Sequence, residues 1–191
     1  MKSLVPVSLL SLLGLSLALA CSDGTSPSES LRPAFKAGGR PGFGFNGSVE
    51  GFPTGKVRLT GGGSFDPTTG SNVVPTNTTV VASGGGFDCT LPVAQGPLAG
   101  CGADEGVRWD TAQLLASTSF KCTASDQAKP ATTDEHTAVL LADFYRAGDG
   151  DDQSFTAQMI VSDRDLAPNI DGIQNLWVQG VGCGTAIVNF N

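Results

Sequence analysis

Along this chain, apolar residues recur at every second position in several short runs cut by glycine, proline, serine and aspartate. That is the period of a strand with one face on a core. Lys56-Val57-Arg58-Leu59-Thr60 alternates polar and apolar. Residues 78–82 are mostly β-branched, with Thr78, Thr79, Val80 and Val81 ahead of Ala82, which also suits a strand. In residues 154–161, Phe155, Ala157, Met159 and Val161 share one face; in residues 185–190, Ala186, Val188 and Phe190 do. Residues 174–179 read as strand, and residues 137–145 form a longer, more continuously apolar run that reads as more buried. Gly148-Asp149-Gly150-Asp151-Asp152 predicts a hairpin turn between two of these runs. Gly180-Val181-Gly182-Cys183-Gly184 predicts a bend or bulge.

Two stretches leave two readings open. Residues 109–116 could begin a helix, but Ser117-Thr118-Ser119-Phe120-Lys121-Cys122 is better strand material, so strand is expected throughout. A short helix could occupy residues 164–173, curtailed by Pro168 and Gly172. The pattern as a whole predicts an all-β domain, either an antiparallel β-sandwich or a closed β-barrel of seven to nine strands.

The first twenty residues break this pattern. Met1-Lys2-Ser3 is a short basic start, followed by an apolar run over residues 4–20. The run is shorter than the roughly 20 apolar residues of a membrane span and reads as a secretory signal peptide. It ends Ala18-Leu19-Ala20-Cys21. Ala-x-Ala suits ordinary signal peptidase, whereas a small residue directly before Cys suits a bacterial lipobox. The usual Leu and small residue of a lipobox are replaced here by Ala18 and Leu19. The expectation is lipidation at Cys21, a Ser/Gly/Pro-rich tether over residues 21–46, and a single β domain over residues 47–191. The protein would then be exported and held to a membrane at the cell surface or in the periplasm, or else secreted.

Composition narrows the partners. With 26 Gly, 11 Pro and only 15% charged residues among 191, the chain does not read as a helical bundle. Its 40% hydrophobic share is enough for a core. The net charge of −7 argues against a nucleic-acid partner. From residue 126 onward ten acids face three bases, while residues 22–125 hold eight acids and seven bases.

Five cysteines remain to be placed. Beside Cys21 there are Cys89, Cys101, Cys122 and Cys183, an even set that suggests two disulfides in an exported chain. Four cysteines allow three connectivities, and the sequence does not choose among them. The expected pairs are Cys89–Cys101, closing a short Pro/Gly-rich loop, and Cys122–Cys183, joining two strand-like segments. One histidine and no CxxC pair speak against zinc.

The remaining motifs each have a plain structural reading. Gly42-Phe43-Gly44-Phe45-Asn46-Gly47 has GxGxxG spacing but lacks the flanking strand and helix of a dinucleotide site. It reads as a glycine-rich segment whose phenylalanines pack on the domain. Gly51-Phe52-Pro53-Thr54-Gly55-Lys56-Val57 is too short for a phosphate loop and puts Val57 where a hydroxyl must hold magnesium. His136, in Thr132-Thr133-Asp134-Glu135-His136, has no GxSxG partner and reads as an exposed turn residue beside two acids. Asp149, Asp151 and Asp152 are candidate calcium ligands, since their turn offers several oxygens, although Asp-Gly hairpin chemistry explains them as well. Asp163, Asp165 and Asp171 follow further on. No other cofactor is implied. Glu50, Glu105 and Glu135 show no groove motif for glycoside hydrolysis. Trp109, Trp177 and Tyr145 could line a sugar or an apolar ligand, but read first as core.

Three segments carry a resemblance: Phe120-Lys121-Cys122-Thr123, Ala142-Asp143-Phe144-Tyr145-Arg146-Ala147-Gly148-Asp149-Gly150, and Trp177-Val178-Gln179-Gly180-Val181-Gly182-Cys183-Gly184. Together they resemble small exported proteins of soil bacteria, over about residues 47–191. The resemblance implies bacterial export and brings no activity or site residues with it. The function expected from the sequence is therefore a non-enzymatic surface or periplasmic binding or structural module. The alternatives are a β-barrel carrier of a small apolar ligand and a hydrolase with no identified site. A filled interior favours the module, and a dry cavity the carrier.

Overall fold

A computed structural model describes residues 41–67, 82–146 and 153–191. In chain order its strands are β1 (Gly42–Gly51), β2 (Lys56–Ser64), β3 (Ala82–Leu91), β4 (Arg108–Leu114), β5 (Ser117–Phe120), β6 (Lys129–Thr132), β7 (Thr137–Arg146), β8 (Gln153–Ser162), β9 (Leu176–Val178), β10 (Gly182–Gly184) and β11 (Ala186–Phe190). There is no α-helix among the described residues.

Eight strands close into an antiparallel barrel. Their order is β1-β2-β3-β4-β7-β8-β9-β10, and β10 returns to pair with β1. Strand β11 continues β10 along β1: Glu50 faces Cys183, and Gly47 faces Ala186, so the register is the same on both sides of Thr185. Thus the closed barrel, rather than the sandwich, is the form adopted, and its nine-stranded sheet lies within the expected range. Strands β5 and β6 form a separate two-stranded hairpin.

The barrel interior is packed with side chains, as expected of an eight-strand ring. One rung runs Phe45, Gly61, Gly85, Trp109, Phe144, Phe155 from β1 to β8. Glycine at the second position of that rung makes room for the large rings. A Cβ on Gly61 would lie 2.5 Å from the Trp109 indole. Trp109 is fully buried, donates its Nε1–H to the Thr60 carbonyl at 3.1 Å, and packs on Phe45 at 5.8 Å between ring centroids. Phe87 meets Phe144 edge-on at 5.2 Å. Below these rings Leu59, Leu140, Met159 and Leu176 are also fully buried.

Both mouths are plugged. At one end Phe65 lies between Phe43 and Phe190, with ring centroids 5.7 and 6.0 Å away. At the other, the Cys89–Cys101 disulfide closes a loop that sends Val93, Leu98 and Cys101 into the same core. Arg146, at the end of β7, donates to the Gly100 carbonyl at 2.6 Å and latches that loop.

A second apolar cluster lies outside the barrel wall. Val139, Ile160, Trp177 and Cys183 alternate with inward residues of β7, β8, β9 and β10, and they pack against Leu115, Phe120, Ala131 and Ala167. The β5–β6 hairpin and the segment after β8 therefore cover one side of the barrel. The Cys122–Cys183 disulfide joins this layer to the wall, with 4.9 Å between the Cα atoms. Trp177 adds a bond from Nε1 to the Lys121 carbonyl at 3.1 Å. Strands buried on both faces read as continuous apolar runs, which accounts for residues 137–142.

Several expectations need correction. Strand β1 begins at Gly42, so residues 42–46 belong to the barrel and not to a tether; Phe43 and Phe45 are core residues. Residues 109–122 do not form one strand, because the chain turns between β4 and β5 to leave the wall for the outer layer. Residues 164–173 hold turns instead of a helix, tied by bonds from Leu166 N to Gln174 O at 2.7 Å and from Ile170 N to Ala167 O at 2.9 Å. Cys122 follows β5 in a bend, outside any strand. Residues 78–81 and the turn at 148–152 lie outside the described residues, although β7 and β8 pair up to Arg146 opposite Gln153.

Candidate functional site

The open side of the barrel, formed by β11, β1, β2 and β3, carries a series of adjoining depressions. The largest, about 650 Å3, lies between the end of β1 and the outer layer. Ser48, Glu50 and Thr185 stand on its barrel side, Thr123 and Gln174 on its outer side, and Phe52 at one end. Ser48 and Thr185 also line a second depression of about 630 Å3 that holds Asn46, Lys56, Arg58 and Thr90. Asn46 and Arg58 in turn reach a third, of about 350 Å3, with Gly86 and Asp88. Beyond the Phe52-Pro53 ridge a fourth, of about 250 Å3, lies over Ser119, Phe120 and Trp177. The first three share lining residues and make one trough across the strands; the fourth, which also holds Lys121, lies over the covering layer and is separate from it.

Local sequence places these groups. Ser48, Arg58 and Asp88 form an outward row across β1, β2 and β3, and Thr185 faces Ser48, donated to by its N–H at 3.2 Å. Outward positions in β1 and β2 are polar or glycine because no layer covers them. The charges are matched within the trough: Lys56 bonds Glu50 at 2.7 Å, and Arg58 lies 3.9 Å from Asp88. The remaining lining groups are hydroxyls and carboxamides, which both donate and accept.

The residues singled out from sequence fall elsewhere for the most part. Both expected disulfides are present, Cys89–Cys101 and Cys122–Cys183. Cys21 and the carboxylates Asp149, Asp151 and Asp152 lie outside the described residues. Among the described residues no group of three His, Cys, Asp or Glu side chains is placed to hold a metal ion. Asp165 instead ties its own loop, accepting from the Ala167 and Gln174 N–H groups at 3.0 and 3.1 Å. Glu50 lines the trough, Glu105 braces the capping loop through the Gly102 N–H at 2.9 Å, and Glu135 sits in the β6–β7 turn. They form no carboxylate pair in one cleft. Trp109 is core; Tyr145 is half-buried, with the Arg108 guanidinium 4.6 Å above its ring.

His136 is an exposed turn residue. Its Nδ1 meets Asp163 at 2.8 Å, and its backbone N–H reaches Asp134 at 2.8 Å. Burial pushes the Asp134 carboxyl up, but that backbone bond and the Arg164 guanidinium outweigh it and hold the group below the usual carboxylate range. Arg164 bonds Asp134 at 2.6 Å. The side chains bonded to the histidine are carboxylates, with the Arg164 guanidinium on one of them.

Sequence reasoning gave no site role to Asn46, Ser48, Phe52, Gln174 or Thr185. They are spread over separate segments, and only the closure of the ring brings them together. Comparison with protein-family models, with curated proteins and with solved structures finds no match.

Proposed function

We propose that this protein is an exported bacterial β-barrel, held to a membrane by a lipid on Cys21, and that it acts as a non-enzymatic binding module through the outside of its barrel. The packed interior carries this reading. Trp109, Phe144 and Phe45 occupy the space in which a carrier would hold its ligand, and Phe65 and the loop bearing Leu98 plug the two mouths. The outer trough stays open. The two disulfides fit an oxidising compartment.

Labelling with radioactive palmitate in a bacterial host tests the anchor. The wild-type chain is expected to be labelled and to sediment with membranes, and Cys21→Ser to be unlabelled. An unlabelled wild-type chain would contradict the lipid anchor. Extraction of the purified chain with organic solvent tests the outer-surface reading; no apolar ligand is expected in the extract.

A further inference from the structure

We infer that the trough binds a neutral oligosaccharide several units long, an inference that rests on the outer wall being the working surface. Three features select this class. The trough crosses four strand positions about 4.8 Å apart, on the order of 15 Å in all, which suits a chain rather than a single ring. Its cations and carboxylates are paired with each other, Lys56 with Glu50 and Arg58 with Asp88, so it offers no net charge to an ionic ligand. Its other polar groups, on Asn46, Ser48, Thr123, Gln174 and Thr185, are hydroxyls and carboxamides that complement the hydroxyls of a sugar; Thr185, which donates to the Ile173 carbonyl, serves as an acceptor, and Gln174 keeps one amide hydrogen beside its bond to the Asp171 carbonyl.

Phe52 adds an apolar ring, half-buried at the ridge between two depressions, against which the C–H face of a sugar can pack. An extended peptide fits less well. The floor strands β1 and β2 are laddered on both sides, so they have no free edge to which a peptide strand could add.

The test is calorimetric titration of the mature, disulfide-bonded chain with cello-, xylo-, manno-, malto- and chito-hexaose. At least one is expected to bind saturably, with its monosaccharide at least about tenfold weaker. Ser48→Ala and Gln174→Ala are each expected to weaken that binding by about threefold to tenfold, with an unchanged thermal midpoint showing that the fold is retained. Absence of saturable binding to all five would overturn the inference, as would binding that both variants leave unchanged. Failure of the outer-surface reading has a separate signature, an apolar molecule extracted from the purified chain.

Discussion

The two sides of this barrel are built from the same kind of strand and have opposite outer faces. On β7, β8, β9 and β10 the outward residues Val139, Ile160, Trp177 and Cys183 are buried beneath the β5–β6 hairpin. On β11, β1, β2 and β3 the outward residues include Ile187, 75% exposed, and the polar row through Ser48, Arg58 and Asp88. Inward faces on both sides are apolar and close one core. The inside of the ring therefore sets the fold. The outside differs according to whether another layer needs a partner there, and the uncovered side is the one free to meet a ligand.

The comparison can be broken or sharpened by substitution. The largest effect is expected from Trp109→Ala, which empties the shared interior and leaves the Thr60 carbonyl without its indole donor; denaturant unfolding should show a loss of about 3–5 kcal/mol. Ile160→Ala on the covered side should cost about 2–5 kcal/mol. Ile187→Ala on the open side should stay within about 0.5 kcal/mol of wild type. Equal losses at the two isoleucines would erase the distinction between the walls.

Removing the pin comes next. The double variant Cys122→Ala, Cys183→Ala should lose about 2–4 kcal/mol. Hydrogen exchange should then quicken in β5 and β6 while the β2 and β3 amides stay protected, because the outer layer is held by its own cluster and not by the interior. The smallest effect is at Asp134. Its carboxyl lies below the usual range in the folded chain, so its contribution is present above the ordinary carboxylate value and is lost as pH falls through the lowered one. The difference in thermal midpoint between wild type and Arg164→Ala, visible at neutral pH, should shrink below about pH 4.

Much of the architecture was legible from local pattern. Alternation at Lys56–Thr60 and at Phe155, Ala157, Met159 and Val161 placed two walls with the correct faces inward, and Ala186, Val188 and Phe190 did the same for β11. The unbroken run Ala138-Val139-Leu140-Leu141-Ala142 signalled burial on two faces, but nothing local names what covers it. Glycine hid the rest. Gly84-Gly85-Gly86 and the glycines at the start of β1 have low strand propensity, and they are strands because they are laddered to β2: Gly84, Gly85 and Gly86 to Gly62, Gly61 and Thr60, and Gly42 and Gly44 to Ser64 and Gly62. A Cβ on Gly85 would meet the Thr60 carbonyl at 1.9 Å and the Gly61 Cα at 2.5 Å. The trough was not legible at all, because Ser48, Gln174 and Thr185 become neighbours only when β10 meets β1.

The packed interior is the claim on which the rest depends, and xenon tests it directly, since the gas enters dry apolar cavities. Crystals of the mature chain pressurised with xenon should show no atom inside the ring bounded by Phe45, Trp109, Phe144 and Met159. A well-occupied xenon site there would contradict the packed barrel and return the protein to the class of apolar-ligand carriers.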